Sequence, residues 1–188
     1  MGFRFIAQRI PELLLVETDR FADDRGAFAE TYREQVFCDR GLPRFMQDNQ
    51  SQSRLGVIRG LHFQNEPHAV AKLVRCVRGR IFDVAVDIRR LSPTYGEWVS
   101  AELSEENGRM FFVPAGFAHG FCAVSETADV LYRQSGYYAP DCDRAIRFDD
   151  PTIGVAWPAG RKVLSAKDAA APLLTECDNN LVYRGGSV

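Results

Sequence analysis

GVIRGLHFQNEPHAVAKLVR, residues 56–75, is the stretch on which the reading of the fold turns. Val57 and Ile58 open an apolar run that carries Arg59 and His62 and ends at Gln64. A short loop with Pro67 follows, and a second apolar run returns with Lys72 near its start. Two short runs of strand formers around a Pro-containing loop read as two adjacent strands. Between them they present a guanidinium, an imidazole able to exchange a proton near neutrality, and an ammonium. His62, at the end of an apolar strand, is either a buried histidine satisfied by hydrogen bonds or a group that does chemistry.

Outward from this stretch, strand signals recur at short spacing. Residues 3–8, 13–18, 27–32, 97–103, 110–113 and 130–134 each read as strands, separated by polar turns such as FADDRG and SEENG. Residues 34–40, ending at Gly41, read as a short helix with a glycine cap, and Ser165 is a candidate N-cap for a second. In the strand 80–88, Phe82, Val84, Val86 and Ile88 form one apolar face. Asp83 and Asp87 lie on the other, either solvated or placed to chelate a metal. FMQDNQSQS, residues 45–53, is polar at both parities: a loop, an edge strand, or a strand facing a polar cavity. Many short strands with few helices predict an all-β sandwich or barrel.

Composition narrows the class. The 188 residues are 46% hydrophobic and 26% charged, enough for one domain with a substantial core. A net charge of −2 provides no global field for nucleic acid or an anionic membrane, and no apolar run is long enough to span a bilayer. Five cysteines without a CxxC pair read as free thiols in a reducing cytoplasm. The tail after about residue 172 is expected to be partly flexible, its GGS end most of all.

PAGFAHG, residues 114–120, fits P-x-G-x-x-H, the second half of a cupin signature, in which a tight turn sets a histidine at the mouth of a jelly-roll barrel. A metal-binding cupin also carries an HxH pair, whereas this chain has His62-Phe63-Gln64. Two histidines are too few for a usual metal site, so no metal is expected and the imidazoles are free for proton transfer.

GVIRGLHFQ, KLVRCVRGRIFDVAVDIRRLSPTYGEW, LSEENGRMFFVPAGFAHGF and YYAPDCDRAIRFDDPTIGVAWP, with DDRGAFAET, QDNQS and LSAKD, resemble the dTDP-4-dehydrorhamnose 3,5-epimerase family over roughly residues 3–170. The resemblance implies a double-stranded β-helix, or cupin jelly roll, with a few short helices. It also implies a homodimer, no cofactor, and a dTDP-4-keto-6-deoxyhexose substrate. By motif match His62 is the base with Asp168 as its partner, Lys72 steadies the enolate, and Tyr132 delivers the proton on the opposite face. Substrate-binding roles fall on Arg25, Glu30, Gln47, Asp48, Asn49, Arg59, Lys72, His119, Tyr138, Asp143 and Lys167. Arg25 and Glu30 are expected to serve the other subunit's site.

Strict alternation puts Arg59 and His62 on opposite faces of one strand, so both roles require a bulge at Gly60. Val70-Ala71 stands where the family usually has Gln-Gly, and Asp143 where glutamate is frequent. The expectation is epimerisation at C3 and C5. The alternatives are a single-centre epimerase of a related deoxysugar, a non-catalytic sugar-nucleotide-binding jelly roll, and a metal-dependent cupin dioxygenase, which the missing HxH pair disfavours.

Overall fold

The computed structural model describes residues 2–185. Two antiparallel sheets face each other. The first, in spatial order, contains β1 (Phe3–Ala7), β2 (Leu14–Thr18), β10 (Met110–Val113), β7 (Lys72–Arg78), β12 (Thr127–Gln134) and β5 (Gln47–Arg54). The second contains β13 (Asp143–Ala145), β6 (Ile58–Gln64), β11 (Phe117–Ala123), β8 (Arg80–Asp87) and β9 (Trp98–Ser104). A hairpin of β3 (Arg20–Asp23) and β4 (Gly26–Ala29) stands apart, with the cross-strand pair Phe21 and Phe28 exposed. Two short helices complete the elements used below, α1 (Glu34–Asp39) and α2 (Ala166–Ala169). The all-β jelly-roll class is the one expected.

β6 and β7 are not neighbours. The loop after Gln64 carries the chain from one sheet to the other, so His62 and Lys72 stand on facing walls instead of on one hairpin. Between the sheets, Val74, Cys76, Phe111, Ala128 and Val130 meet Ile81, Ala85, Leu103, Phe117 and Phe121 in an apolar core. The strand period of two extends those inward rows to Lys72 on β7, Tyr132 and Gln134 on β12, His119 on β11 and Asp83 on β8. One part of the barrel is thus filled with hydrocarbon and the rest of its interior is polar.

This arrangement corrects the reading of β8. Its apolar row faces away from the barrel: Val84, Val86 and Ile88 pack with Leu61, Ile146, Ile153, Leu174 and Leu181 under the C-terminal segment. The aspartates are on the interior side and fully buried, not solvated. Asp87 accepts from the Arg89 guanidinium at 2.7 Å, Ser92 at 2.6 Å and Thr94 at 2.7 Å, while Asp83 faces His119. Alternation tells two faces apart; it does not say which one a later segment will cover.

That later segment is the tail expected to be flexible, and it is packed. Leu174 N–H donates to Asp150, Asn180 bonds Glu66, Leu181 is buried, and the Tyr183 ring lies 4.9 Å from the Arg89 guanidinium. The GGS end lies outside the described residues from residue 186 on, Gly185 being the last described. Among those described, no helix is long and apolar enough to cross a membrane, and all five cysteines are free thiols.

Candidate active site

The parity conflict on β6 resolves at Gly60. His62 pairs with His119 of β11 and Arg59 pairs with Phe121, so three steps on β6 span two on β11. The extra residue turns Arg59 to the same cavity as His62. Only glycine suits the corner: φ is +119° at Gly60, and a Cβ there would lie 2.6 Å from both the Gly120 Cα and the His119 carbonyl oxygen.

The cavity so formed holds about 370 Å³ and is lined by Arg59, His62, Lys72, His119, Tyr132, Lys167 and Asp168, with Ser51, Phe121, Val163 and Ser165 among the remainder. Four elements supply its chemistry. β6 brings His62 and β7 brings Lys72. β12 brings Tyr132, on the wall opposite His62, and α2 brings Asp168.

His62 Nε2 lies 2.5 Å from Asp168 Oδ1 across 106 residues of sequence. Asp168 is only 4% exposed and sits at the third position of α2, where its N–H donates to the Ser165 hydroxyl at 3.1 Å. Ser165 therefore caps the helix, as its sequence position predicts. Burial works to raise the Asp168 carboxyl pKa. The hydrogen bond to His62, the His62 charge, Ser165 and the Gly60 amide outweigh it and hold the group below 3.8. A carboxylate so held keeps the imidazole in one tautomer, with Nε2–H toward Asp168 and the Nδ1 lone pair free to accept a proton.

Lys72 reaches toward the same space and donates to the His62 carbonyl at 3.4 Å. Burial lowers its pKa from 10.5 to about 8, against the attraction of Asp143 and Asp83. It is a cation at neutral pH with few partners, available to a developing oxyanion. Tyr132 packs against the apolar core, and burial raises its hydroxyl pKa; Arg59 opposes this and Asp143 adds to it. A phenol held protonated suits a proton donor.

One functional partner escaped the sequence reading. His119 Nε2 meets Asp83 Oδ1 at 2.9 Å, both side chains buried, so two His–Asp pairs face one cavity. Burial lowers the His119 pKa and raises that of Asp83, so both changes favour uncharged forms. Asp83 lies on β8, and only register reveals its neighbour; the odd parity of a carboxylate among apolar residues was the available signal.

The remaining assigned residues divide in two. Tyr138, with its ring exposed, donates from its hydroxyl to Asp143 at 3.2 Å, and Asp143 pairs with Lys167 at the rim. The Tyr138 N–H donates to Gln47, which bonds Asn49. β5 is an edge strand, and Gln47, Asn49 and Ser51 share its inner face, so the edge-strand and cavity readings both hold. Asp48 is on the outer face beside Arg133, 3.6 Å away, and is not brought to the cavity. Arg25, at the exposed tip of the β3–β4 hairpin, is paired with Asp23, and Glu30 with Arg33; neither lines this chain's own cavity. Val70 and Ala71 are buried beside Gly136 and Ser135 rather than at the cavity wall. Among the described residues no group of three or more His, Cys, Asp or Glu is placed to hold a metal ion.

Residues 7–176 match the family model described as dTDP-4-dehydrorhamnose 3,5-epimerase. The enzyme of that name from Salmonella typhimurium is 49% identical over 175 residues, covering 91% of this chain and 95% of the relative. A dTDP-4-dehydrorhamnose 3-epimerase from Streptomyces niveus is 41% identical over 163 residues, covering 86% and 79%. The crystal structure of dTDP-6-deoxy-D-glucose-3,5-epimerase from Legionella pneumophila Philadelphia 1, in complex with dTDP-4-keto-L-rhamnose, superposes with a TM-score of 0.94 at 43% identity, covering 99% of this chain and 100% of that one. With a jelly roll whose cavity gathers a His–Asp pair, a lysine and a tyrosine, this chain belongs to the dTDP-4-dehydrorhamnose 3,5-epimerase family.

Proposed function

We propose that the chain converts dTDP-4-dehydro-6-deoxy-D-glucose to dTDP-4-dehydro-L-rhamnose by inverting C3 and C5. The carrying observation is the placement of the His62–Asp168 pair and Tyr132 on opposite walls of one cavity, with Lys72 exposed to the same space. The 4-keto group acidifies the C–H bonds at C3 and C5. His62 removes a proton through Nδ1, and the electrons move onto the carbonyl oxygen as an enolate. The Lys72 ammonium stabilises that oxygen, and its charge is worth more there than against the neutral ketone. Tyr132 then protonates the carbon from the other face, which inverts the centre. Once His62 has given up its proton to solvent and Tyr132 has regained one, the same cycle at the second carbon completes the reaction.

Nucleotide binding falls to the rim. Tyr138 offers a ring face to thymine, and Arg59 and Lys167 supply charge for the diphosphate. His119, Gln47, Asn49 and Asp143 complete this chain's share. Arg25 and Glu30 lie outside the cavity of their own chain, which supports a homodimer in which each subunit's hairpin closes the partner's site. A monomeric variant with full activity defeats that part of the reading. The free thiols suit a cytoplasmic enzyme.

The test is incubation with the keto sugar in D₂O followed by NMR. Deuterium at both C3 and C5 is expected. Label at one centre makes the chain a single-centre epimerase, and no label refutes the activity on this substrate. His62→Ala abolishes exchange at both centres, whereas Tyr132→Phe retains some washout while product formation falls; equal loss in both refutes the division of roles.

A further inference from the structure

Gln64 stands where a metal-binding cupin has its second histidine; it is 6% exposed, and the hydrogen bonds of its amide all go to backbone groups. Its Oε1 accepts from the Ala139 N–H at 2.8 Å. Its Nε2 donates to the His68 carbonyl at 2.6 Å and lies 3.3 Å from the Tyr137 carbonyl. The flanking residues of Tyr138 are thus both held by one side chain from β6. Tyr138 itself is held through its N–H by Gln47 of β5, at 3.0 Å.

β6 and β5 belong to different sheets. The loop that follows β12 runs from beside β5, the edge of one sheet, to β13, the edge of the other, and Gln47 and Gln64 hold it from either side. The Tyr138 ring is 56% exposed. Its direction depends on the backbone from Tyr137 to Ala139 and on the hydroxyl's bond to Asp143, which pairs across the ladder with Gln64.

We propose that Gln64 is a positioning residue for nucleotide binding: by clamping Tyr137 and Ala139 it sets the Tyr138 ring against the base of the substrate. Gln64 touches no reacting atom, and its action runs through Tyr138. The inference rests on the nucleotide-binding role proposed for Tyr138.

The test is a double-mutant cycle on dTDP binding by calorimetry, with wild type, Gln64→Met, Tyr138→Ala and the double variant. Gln64→Met keeps the bulk and removes the amide. It is expected to weaken dTDP binding about tenfold, roughly the worth of one net hydrogen bond to loop order, and to raise KM with little change in kcat. In the Tyr138→Ala background the same substitution is expected to have no further effect. Equal effects in both backgrounds, or a fall in kcat with KM unchanged, overturn the proposal. If wild type itself does not bind dTDP, or Tyr138→Ala alone does not weaken binding, the nucleotide reading of the rim is what fails. Gln64→Glu, which keeps the acceptor for Ala139 and loses the donor, is the second variant should Gln64→Met not fold. Its residues 135–142 are expected to exchange amide hydrogens faster than in wild type, and unchanged protection there also overturns the clamp.

Discussion

Replacing Lys72 by methionine is expected to make the protein more stable and nearly inactive. The ammonium lies on the inward row of β7 that continues from the apolar core, and burial brings its pKa from 10.5 down to about 8. At about 1.4 kcal/mol per pH unit, that fall corresponds to about 3 kcal/mol of disfavour for the charged form in the folded state. Lys72 keeps some surface toward the cavity, so this is an upper bound. Methionine has similar length and no charge, and it is expected to recover about 2–3 kcal/mol at pH 7. For a chain of this size that is a rise of about 5–10 °C in Tm.

The pH dependence follows from linkage. Below pH 8 both folded and unfolded chains carry the proton on Lys72, and the full penalty is present. Between 8 and 10.5 the unfolded chain keeps the proton and the folded chain has lost it. Wild-type stability therefore rises with pH relative to the variant, and the gap closes toward 10.5. The assay is urea unfolding of both proteins at pH 7 and pH 10, at matched protein concentration. A variant less stable than wild type at pH 7, or a gap that does not shrink by pH 10, refutes the burial argument. Activity runs the other way: without the ammonium, deuterium wash-in is expected to slow about 10²–10³-fold, typical for loss of one oxyanion-stabilising donor.

Asp168→Asn is expected to reduce turnover about 10²–10⁴-fold by losing the charge that favours the imidazolium, read by the same wash-in. Because the folded-state carboxyl sits below 3.8, its stabilisation is present above that pH and fades as pH falls through the depressed value, so acid unfolding of this variant should start from a lower baseline. Gly60→Ala forces a Cβ to 2.6 Å from two backbone atoms at a φ of +119°, and is expected to cost at least about 2–3 kcal/mol in urea unfolding together with most of the activity. At Asp83, whose charged form burial already disfavours, Asn is expected to cost under about 1 kcal/mol, while Ala strands the His119 imidazole and costs about 1–3 kcal/mol; equal losses would argue against the pairing.

Much of this molecule was legible in one dimension. Alternation marked the strands because each has an apolar row to bury, and the helix ends at Gly41 and Ser165 were visible because one needs a left-handed residue and the other a side-chain acceptor. Even the bulge at Gly60 was readable, as a conflict between two roles and the strand period. What the chain could not show is which neighbour each residue would meet. Residues 83 and 119 meet only because β8 and β11 pair in one register, and residues 62 and 168 only because α2 packs against β6. The inward face of β8 is the aspartate face only because residues 146–181 cover the other. Gly56–Arg75 shows the division most plainly. Its residue types already specified a base, a cation and a guanidinium; the crossing of its loop from one sheet to the other turned two strands expected side by side into the facing walls of a cavity. Short-range patterns record local steric and hydrophobic preference, and pairing across a hundred residues is decided by the packing of the whole chain.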